Sequence, residues 1–439
     1  MDSTRHLIAR QKNSRVLNPF PAFCALIAGG STALPILIQR LSKLIQQTFQ
    51  LKSSPLSSRA WAVVVRFVAV FVSASLGFQV LNQKRSPSSQ TPGTPDSHGE
   101  SPVVSDAPES DQLGKPRPEL AGRTLDLSFF AVTRAADVLV NLSWDAWKHR
   151  RKTGARKSTV QDLAQPFADA GVFAVSSAIV MWAWFYLPER LPASYRRWID
   201  EAAQVDSRLI ETLRRARRGT WVYGKDTGQA YLLESMCEDY GWPLKWGDPA
   251  QTVPIPCEMV HMGCGPNCEK HALMRFVKTF KFACATYLPL QLALRWRSRS
   301  IHAFTDASKN AVRSSAFLGL FVSIFYYSIC LSRNRLGPKI FSPETVTPMM
   351  WDSGLDVGAA CAFCGWSILA ENPKKRQEIA FFVAPRALAT LFPRRYERKY
   401  QWRESLAFSL STAVVLTAIQ ERPEMVRGFM GRLLGQVFQ

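Results

Sequence analysis

The stretch AGVFAVSSAIVMWAWFYL, residues 170–187, carries no charged side chain over eighteen positions. SSAFLGLFVSIFYYSICL, residues 314–331, has the same property. A helix of about 18–20 apolar residues is long enough to cross the hydrocarbon layer of a membrane. Three further uncharged blocks occupy residues 18–39, 67–83 and 405–420. The alternative is a large soluble protein with buried helices, but five such blocks favour a membrane protein.

Four weaker apolar blocks contain charges or are shorter, namely residues 125–142, 276–294, 355–370 and 379–392. We expect some of them to be half-spans or helices that lie at the membrane surface. The sequence therefore predicts an all-α, multi-pass helical membrane protein. It would consist of two related helical bundles with a polar, Cys/His-containing domain between them.

The composition restricts the partners of the chain. It has 439 residues and a net charge of +21, which favours anionic lipids, with other membrane proteins as further candidate partners. Nearly every loop is basic, so charge does not predict which side of the membrane the loops face. Binding to nucleic acid would suit the charge but not the uncharged blocks, and we expect none. Nine scattered cysteines exclude a disulfide framework.

Apolar and polar segments alternate along the chain and predict five regions. They are a basic tail with the first membrane helices (1–83), a Pro/Ser-rich disordered loop (84–119), the rest of the first bundle (120–187), a polar Trp/Pro-rich domain (188–271) and a second bundle (272–439). Within the polar domain, two amphipathic helices are predicted at 206–219 and 229–241, ended by Gly219 and Gly241.

The two membrane regions resemble each other in three places. FFAVTRAADVL at 129–139 matches FFVAPRALATL at 381–391, and SSAIVMWAWFYLPE at 176–189 matches STAVVLTAIQERPE at 411–424. Phe67, Phe71, Val72 and Ser73 match Phe317, Phe321, Val322 and Ser323. The three pairs follow the same order, which indicates a duplicated helical unit of the kind found in transport proteins.

Four charges are candidate intramembrane residues. Asp126, Arg134 and Asp137 fall on roughly one side of a helix, and Arg386 repeats Arg134 in the second copy. Charges at membrane depth pair with one another or line a polar cavity. The alternative is that these helices lie at the interface with their charges in water.

The segment CEMVHMGCGPNCEKH, residues 257–271, concentrates metal-binding side chains. Its candidate ligands are Cys257, His261, Cys264, Cys268 and His271. Structural zinc takes four thiolate or imidazole ligands, so five candidates are one too many, and the paired spacing of ordinary zinc fingers is absent. The segment predicts either a structural zinc site or a compact turn with free or disulfide-linked thiols. No nucleotide-binding loop, nucleophile motif or usable carboxylate pair is present, so we expect no enzyme activity.

Three stretches resemble fungal members of the transmembrane protein 135 family. They are FYLPERLPASYRRWI at 185–199, GWPLKWGDPAQTVPIPCEMVHMGCGPNCEKH at 241–271 and the segment from MWDSGLDVGAACAFCGWSILAENPKK to FFVAPRALATLFPRRY at 350–396. The resemblance covers most of residues 120–430. It implies a multi-pass protein of peroxisomes or mitochondria, with distant similarity to the channel subunits of the mitochondrial inner-membrane translocases. It implies no cofactor or catalytic residue.

Two hypotheses of function follow. The first is a non-enzymatic organelle membrane protein that acts in mitochondrial or peroxisomal dynamics, or in the passage of a solute, lipid or polypeptide. The second is a metal-binding, membrane-anchored adaptor whose polar domain recruits protein partners. Passage would depend on Arg134 and Arg386, whereas the adaptor would depend on residues 200–270.

Overall fold

The computed structural model describes residues 19–49, 58–83, 120–151, 159–295 and 300–438. The predicted disordered loop at 84–119 lies outside the described residues, as does most of the basic tail. Within the described ranges almost all of the structure is helical, which confirms the prediction of an all-α membrane protein.

The long helices carry most of the chain. They are α1 (Pro19–Phe49), α2 (Ser58–Leu81), α3 (Leu125–Arg151), α4 (Thr159–Tyr186), α9 (Cys268–Arg295), α10 (Ile301–Cys330), α14 (Pro373–Leu391) and α15 (Gln401–Glu421). Shorter helices connect them: α5 (Ala193–Ala203), α6 (Ser207–Arg218), α7 (Tyr231–Tyr240), α8 (Cys257–Val260), α11 (Gly337–Ile340), α12 (Pro348–Met350), α13 (Asp356–Cys364) and α16 (Gly428–Phe438). Two-residue strands, β1 (Leu120–Ala121) and β2 (Tyr396–Glu397), pair antiparallel.

Five helical segments among the described residues are long and apolar enough to span a membrane. They are Pro19–Ser42, Arg59–Leu81, Phe167–Tyr186, Ile301–Ile340 and Pro348–Ala370. The first four contain or overlap four of the five uncharged blocks. The fifth contains a weaker block, whereas the uncharged block 405–420 lies in α15, which is not among the candidate spans.

The described helices form two compact units. The first contains α1, α2, the beginning of α3 and α15. Its core is aromatic, and the rings of Phe78 and Phe408 stack with their centroids 4.9 Å apart, next to Phe23. Glu404 is buried in this unit and accepts hydrogen bonds from the hydroxyls of Thr124 (2.7 Å) and Ser128 (2.9 Å), so its charge is solvated by the protein.

The second unit runs from Val140 to Arg394 and also includes residues 427–432. In it α4 packs on α13 and α14, and α10 packs on α9 and α13. Phe173 of α4 meets Phe317 edge-on at 5.6 Å, and Phe185 stacks on Phe325 at 5.5 Å. These aromatic contacts join the helices of the unit through one apolar core.

The units do not follow the predicted division of the chain into a first bundle (1–83 and 120–187) and a second (272–439). Helix α4 belongs with α13 and α14, and α15 belongs with α2. Chain order does not determine which helices pack, because helices associate through complementary faces. Two helices are therefore exchanged relative to the sequence-based bundles.

The polar segment 188–271 lies within the second unit and has a small core of its own around Trp221, Leu233 and Met259. Asp206 caps α6, and its side chain accepts a hydrogen bond from the amide of Arg208 at 2.9 Å. Gly219 and Gly241 end α6 and α7 in the left-handed conformation. Both amphipathic helices predicted in this segment are thereby confirmed.

Candidate metal centre

Local chain geometry brings three of the five predicted ligands together. Cys257 begins the one-turn helix α8, and His261 follows one turn later on the same face. The chain then reverses through Met262 and Gly263, both at positive φ (50° and 82°), and Cys268 begins α9. Gly263 suits this turn because glycine has no side chain to oppose the left-handed conformation.

A fourth ligand comes from a distant part of the chain. Cys330 is the last residue of α10, and its Sγ lies 3.4 Å from His261 Nε2. The donor atoms of Cys257, His261, Cys268 and Cys330 all lie within 4.8 Å of one another. In tetrahedral zinc, Zn–S bonds of about 2.3 Å place two sulfurs about 3.8 Å apart. The set could therefore close around one ion with small movements.

His261 presents the nitrogen that a metal requires. Its Nδ1 lies 2.7 Å from the carbonyl oxygen of Gly265. A carbonyl only accepts, so Nδ1 carries a proton, and in the neutral ring Nε2 is the nitrogen whose lone pair faces the cysteines. A hydrogen bond of this kind is the usual way in which proteins orient a histidine ligand.

The electrostatics of the cluster favour at least one thiolate. A hydrogen bond from Cys330 lowers the pKa of Cys257 to about 4, with His261 and Arg333 acting in the same direction. The side-chain amide of Asn334 also donates to Cys257 Sγ. Burial would lower the pKa of His261, but its hydrogen bonds to Cys257 and Gly265 outweigh burial and raise it.

The thiol of Cys268, unlike that of Cys257, resists ionisation. Burial, followed by the charge of Cys257, raises the pKa of its thiol. Without a cation the buried cluster thus retains protons, and a divalent ion would replace them because thiolates are the form that binds metal. Four protein ligands fill a tetrahedral site, which suits a structural ion and leaves no position for a substrate.

The two remaining predicted ligands lie outside this set. Cys264 sits in the turn between Gly263 and Gly265 and is partly exposed. His271 is fully buried, and its ring stacks on that of His261 at a centroid distance of 4.4 Å. Burial and the nearby charges of His261 and Arg275 lower the pKa of His271 to about 3. The imidazole is therefore neutral and packs against the ligand.

Sequence spacing could not identify Cys330, because it lies 69 residues beyond His261. Its only local signal is its position at the end of the apolar block 314–331. The predicted surplus of ligands within 257–271 is resolved in the structure by tertiary contacts, which select three local side chains and add a distant fourth.

The four candidate intramembrane charges occupy two helices that are not candidate spans, α3 and α14. Arg134 is buried and its guanidinium lies 5.4 Å from the ring of Phe130. Asp126 is exposed in the first turn of α3, and Asp137 is half-buried. Arg386 lies over the rings of Phe382 (3.6 Å) and Tyr195 (5.3 Å), so aromatic faces solvate its charge.

Comparison of the chain with protein-family models, with curated protein sequences and with solved structures finds no match. The geometry of the described residues alone establishes an all-α membrane protein with a Cys₃His cluster that could hold a metal ion.

Proposed function

We propose that this chain is a non-enzymatic, multi-pass protein of a mitochondrial or peroxisomal membrane, acting in the passage of a solute, lipid or polypeptide or in organelle dynamics. The observation that carries the proposal is the interrupted candidate span Pro348–Ala370. It contains a π-helical turn, Trp351–Leu355, in which Gly354 adopts φ 141° and ψ −8°. Irregular backbone at membrane depth is characteristic of segments that line a cavity or bind a transported species.

Buried charges accompany the interruption. Arg333 and Asp352 form an ion pair at 2.9 Å, with side-chain exposures of 4% and 0%. Both residues belong to candidate spans. Ionisable groups in such segments are costly to bury, so their presence favours a functional role over simple anchoring.

The organelle assignment rests on the resemblance of residues 185–199, 241–271 and 350–396 to the transmembrane protein 135 family. The net charge of +21 supports a membrane rich in anionic lipid. Fractionation of cells that express tagged protein, followed by alkaline carbonate extraction, tests this assignment. Recovery in the carbonate-resistant fraction of another organelle would contradict it.

Substitution of Gly354 tests the role of the interruption. A Cβ at this position would lie 2.8 Å from Arg217 Nη1, on a backbone conformation that side chains rarely adopt. We expect Gly354→Ala to stay in the membrane but to fail to restore organelle morphology and lipid content in cells that lack the protein. Gly171→Ala, with open space around it, is the control and should restore both. Full restoration by Gly354→Ala would remove the support for passage.

A metal-binding adaptor is the second candidate, and the observation that favours it is the Cys₃His cluster. Cys257, His261 and Cys268 lie at the C-terminal end of the polar segment, and Cys330 ends α10. An ion held there would fix the polar domain to a candidate span. Under this hypothesis Cys330→Ser should abolish complementation while Gly354→Ala leaves it intact. The passage hypothesis predicts that Gly354→Ala is the damaging change.

An internal duplication is part of the proposal. Its strongest support is an offset of 235 positions: α4 and α15 end at Tyr186 and Glu421, a single helical turn starts at Pro188 and Pro423, and a helix starts at Ala193 and Gly428. Helices α2 and α10 are also supported as equivalent, but in an alignment that differs from the sequence match given above. A Cβ added to Gly77 would lie near the carbonyl oxygen of Phe23, and a Cβ added to Gly319 would lie near that of Phe276. The copies would then each contribute their last helix to the other unit.

An experimental structure tests the duplication directly. Helices α1, α2 and α15 should superimpose on α9, α10 and α4, with Gly77 over Gly319 and Phe408 over Phe173. Different packing of the two triplets would contradict it.

A further inference from the structure

A helix break places two buried carboxylates beside one guanidinium. Two π-helical turns, Leu331–Arg335 after α10 and Trp351–Leu355 before α13, bring Arg333 to Asp352. Asp352 Oδ2 accepts hydrogen bonds from Arg333 Nη2 at 2.9 Å and from the hydroxyl of Tyr223. This carboxylate and this guanidinium neutralise each other.

The second carboxylate forms no ion pair of its own among the described residues. Asp356 lies one turn beyond Asp352 and is 2% exposed. Its side chain accepts a hydrogen bond from the amide of Val357 at 2.6 Å, and no ion pair joins it to a cation within the described ranges. A buried carboxylate without a counter-charge is strongly disfavoured and is relieved by taking up a proton.

Unpartnered polar atoms surround the same break. Asp352 is 0% exposed, yet its Oδ1 has no hydrogen-bond partner among the described residues. The hydroxyl of Tyr186 and Nε of Arg333 are likewise buried without a partner there. The hydroxyl of Tyr186 lies 3.4 Å from the position that a Cβ of Gly354 would occupy, so it faces the break. Oδ1 of Asp352 can only accept a hydrogen bond unless its carboxyl group is protonated, so it requires a donor. A protonated carboxyl group is such a donor.

The surrounding charges do not supply a second counter-ion. Arg217 lies over the rings of Trp182 and Tyr186 and donates to the carbonyl of Ser353 from the exposed side. The titratable and charged groups that face the two carboxylates are Tyr186 of α4, Arg217 of α6, Tyr223, Cys257 of α8, Arg333 and Cys361 of α13. Arg333 is the buried cation of this group, and two carboxylates share it.

We infer that Asp352 and Asp356 form a proton-binding site that holds one exchangeable proton at the broken end of the span Pro348–Ala370. The proton resides on Asp356, while Asp352 stays ionised against Arg333. The proton-binding site does not depend on what passes between the helices. If the site is disproved, the proposed function still stands, and if the proposed function is disproved, the site still stands.

Infrared spectroscopy of the purified full-length protein in lipid nanodiscs tests the site. Wild type should show the carbonyl band of a protonated carboxylic acid at neutral pH, and the band should disappear on raising the pH. Asp356→Asn should lack the band at neutral pH, where the exposed carboxyl groups of the chain are ionised. The control Asp226→Asn changes an exposed carboxylate in the polar domain and should retain it. Absence of the band in wild type at neutral pH, or its survival in Asp356→Asn, would overturn the inference.

Thermal unfolding gives an independent readout that does not depend on assigning a band. The native state holds a proton that the unfolded chain releases above about pH 4, so wild-type stability should fall as the pH rises. Asp356→Asn imitates the protonated acid, and it should fold and lose this part of the pH dependence. If sodium chloride stabilises wild type at constant pH while choline chloride does not, the site binds a metal cation and the proton assignment is wrong.

Discussion

The sulfur of Cys330 lies 3.4 Å from Nε2 of His261, although 69 residues separate them along the chain. Cys330 ends α10, which belongs to a candidate span, whereas His261 follows α8 in the polar segment. An ion bound by both residues would join a membrane helix to the polar domain, and its binding energy would add to the stability of that junction.

The first prediction concerns the distant ligand. Replacement of Cys330 by serine removes one of four ligands, and we expect the zinc content of purified protein to fall from about one ion per chain to well below one. The measurement is elemental analysis after dialysis against a weak chelator. Cys264→Ser is the matched control, because Cys264 lies outside the four-ligand set. Retention of zinc by Cys330→Ser, with loss of zinc in Cys264→Ser, would mean that the local segment 257–271 binds the ion without α10.

Removal of the metal provides the second prediction. A ligand that binds only the folded state stabilises it by about 4 kcal/mol when its concentration is 1,000 times Kd. A strong chelator should therefore lower the Tm of the protein and expose the polar segment to limited proteolysis. Cleavage should begin between the end of α7 and the start of α9, where turns connect short helices. Added zinc should restore resistance in wild type but not in Cys330→Ser. Unchanged proteolysis after chelation would show that the cluster does not hold the domain.

The metal centre illustrates how far sequence reasoning extends. Residue spacing could place Cys257 and His261 on one helical face and Cys268 across a glycine turn, since these are local relations. It could not distinguish a ligand from a packing residue, and His271 is fully buried beside the site without belonging to the four-ligand set. Nor could it find Cys330, whose approach depends on the tertiary packing of α9 and α10.

The same division applies to the fold. The uncharged blocks predicted the helical membrane class, and Asp206, Gly219 and Gly241 mark the ends of short helices through capping chemistry that is written locally. The exchange of α4 and α15 between units has no local signal, because it depends on which apolar faces fit each other. The interruption at Gly354 has no local signal either, since glycine is also common in regular membrane helices, where it allows close packing.

The third prediction uses the helix cap at Asp206. Its side chain accepts hydrogen bonds from the amide (2.9 Å), Nε (3.1 Å) and Nη2 (2.8 Å) of Arg208. Burial opposes ionisation, but the hydrogen bonds from Arg208 outweigh it and lower the pKa of Asp206. Replacement by alanine should cost about 1 kcal/mol of stability at neutral pH, the usual value of an N-cap. Replacement by asparagine keeps the cap and should cost less.

The pH dependence of the Asp206 cap has a definite sign. A carboxyl group with a lowered pKa in the folded state contributes stability above its unfolded pKa of about 3.9 and loses it as the pH falls through the folded value. The difference in Tm between wild type and Asp206→Asn should therefore be largest near neutral pH and close as the pH drops below about 4. A difference that stays constant across this range would show that the ion pair with Arg208 contributes nothing.

The fourth prediction concerns close packing of α4. A Cβ added to Gly365 would lie 2.5 Å from the Cα of Ala174 and 2.5 Å from Oγ of Ser177, so the backbone itself blocks a side chain. Gly365→Ala should therefore destabilise the protein by about 1–3 kcal/mol, the cost of overpacking. Gly171 lies on α4, as Ala174 and Ser177 do, but a Cβ added to it would have no atom within 4 Å. Gly171→Ala should leave Tm unchanged or raise it slightly, because alanine favours the helix. Thermal unfolding of both variants in the same detergent is the measurement, and equal Tm values would mean that α4 does not approach Gly365 this closely.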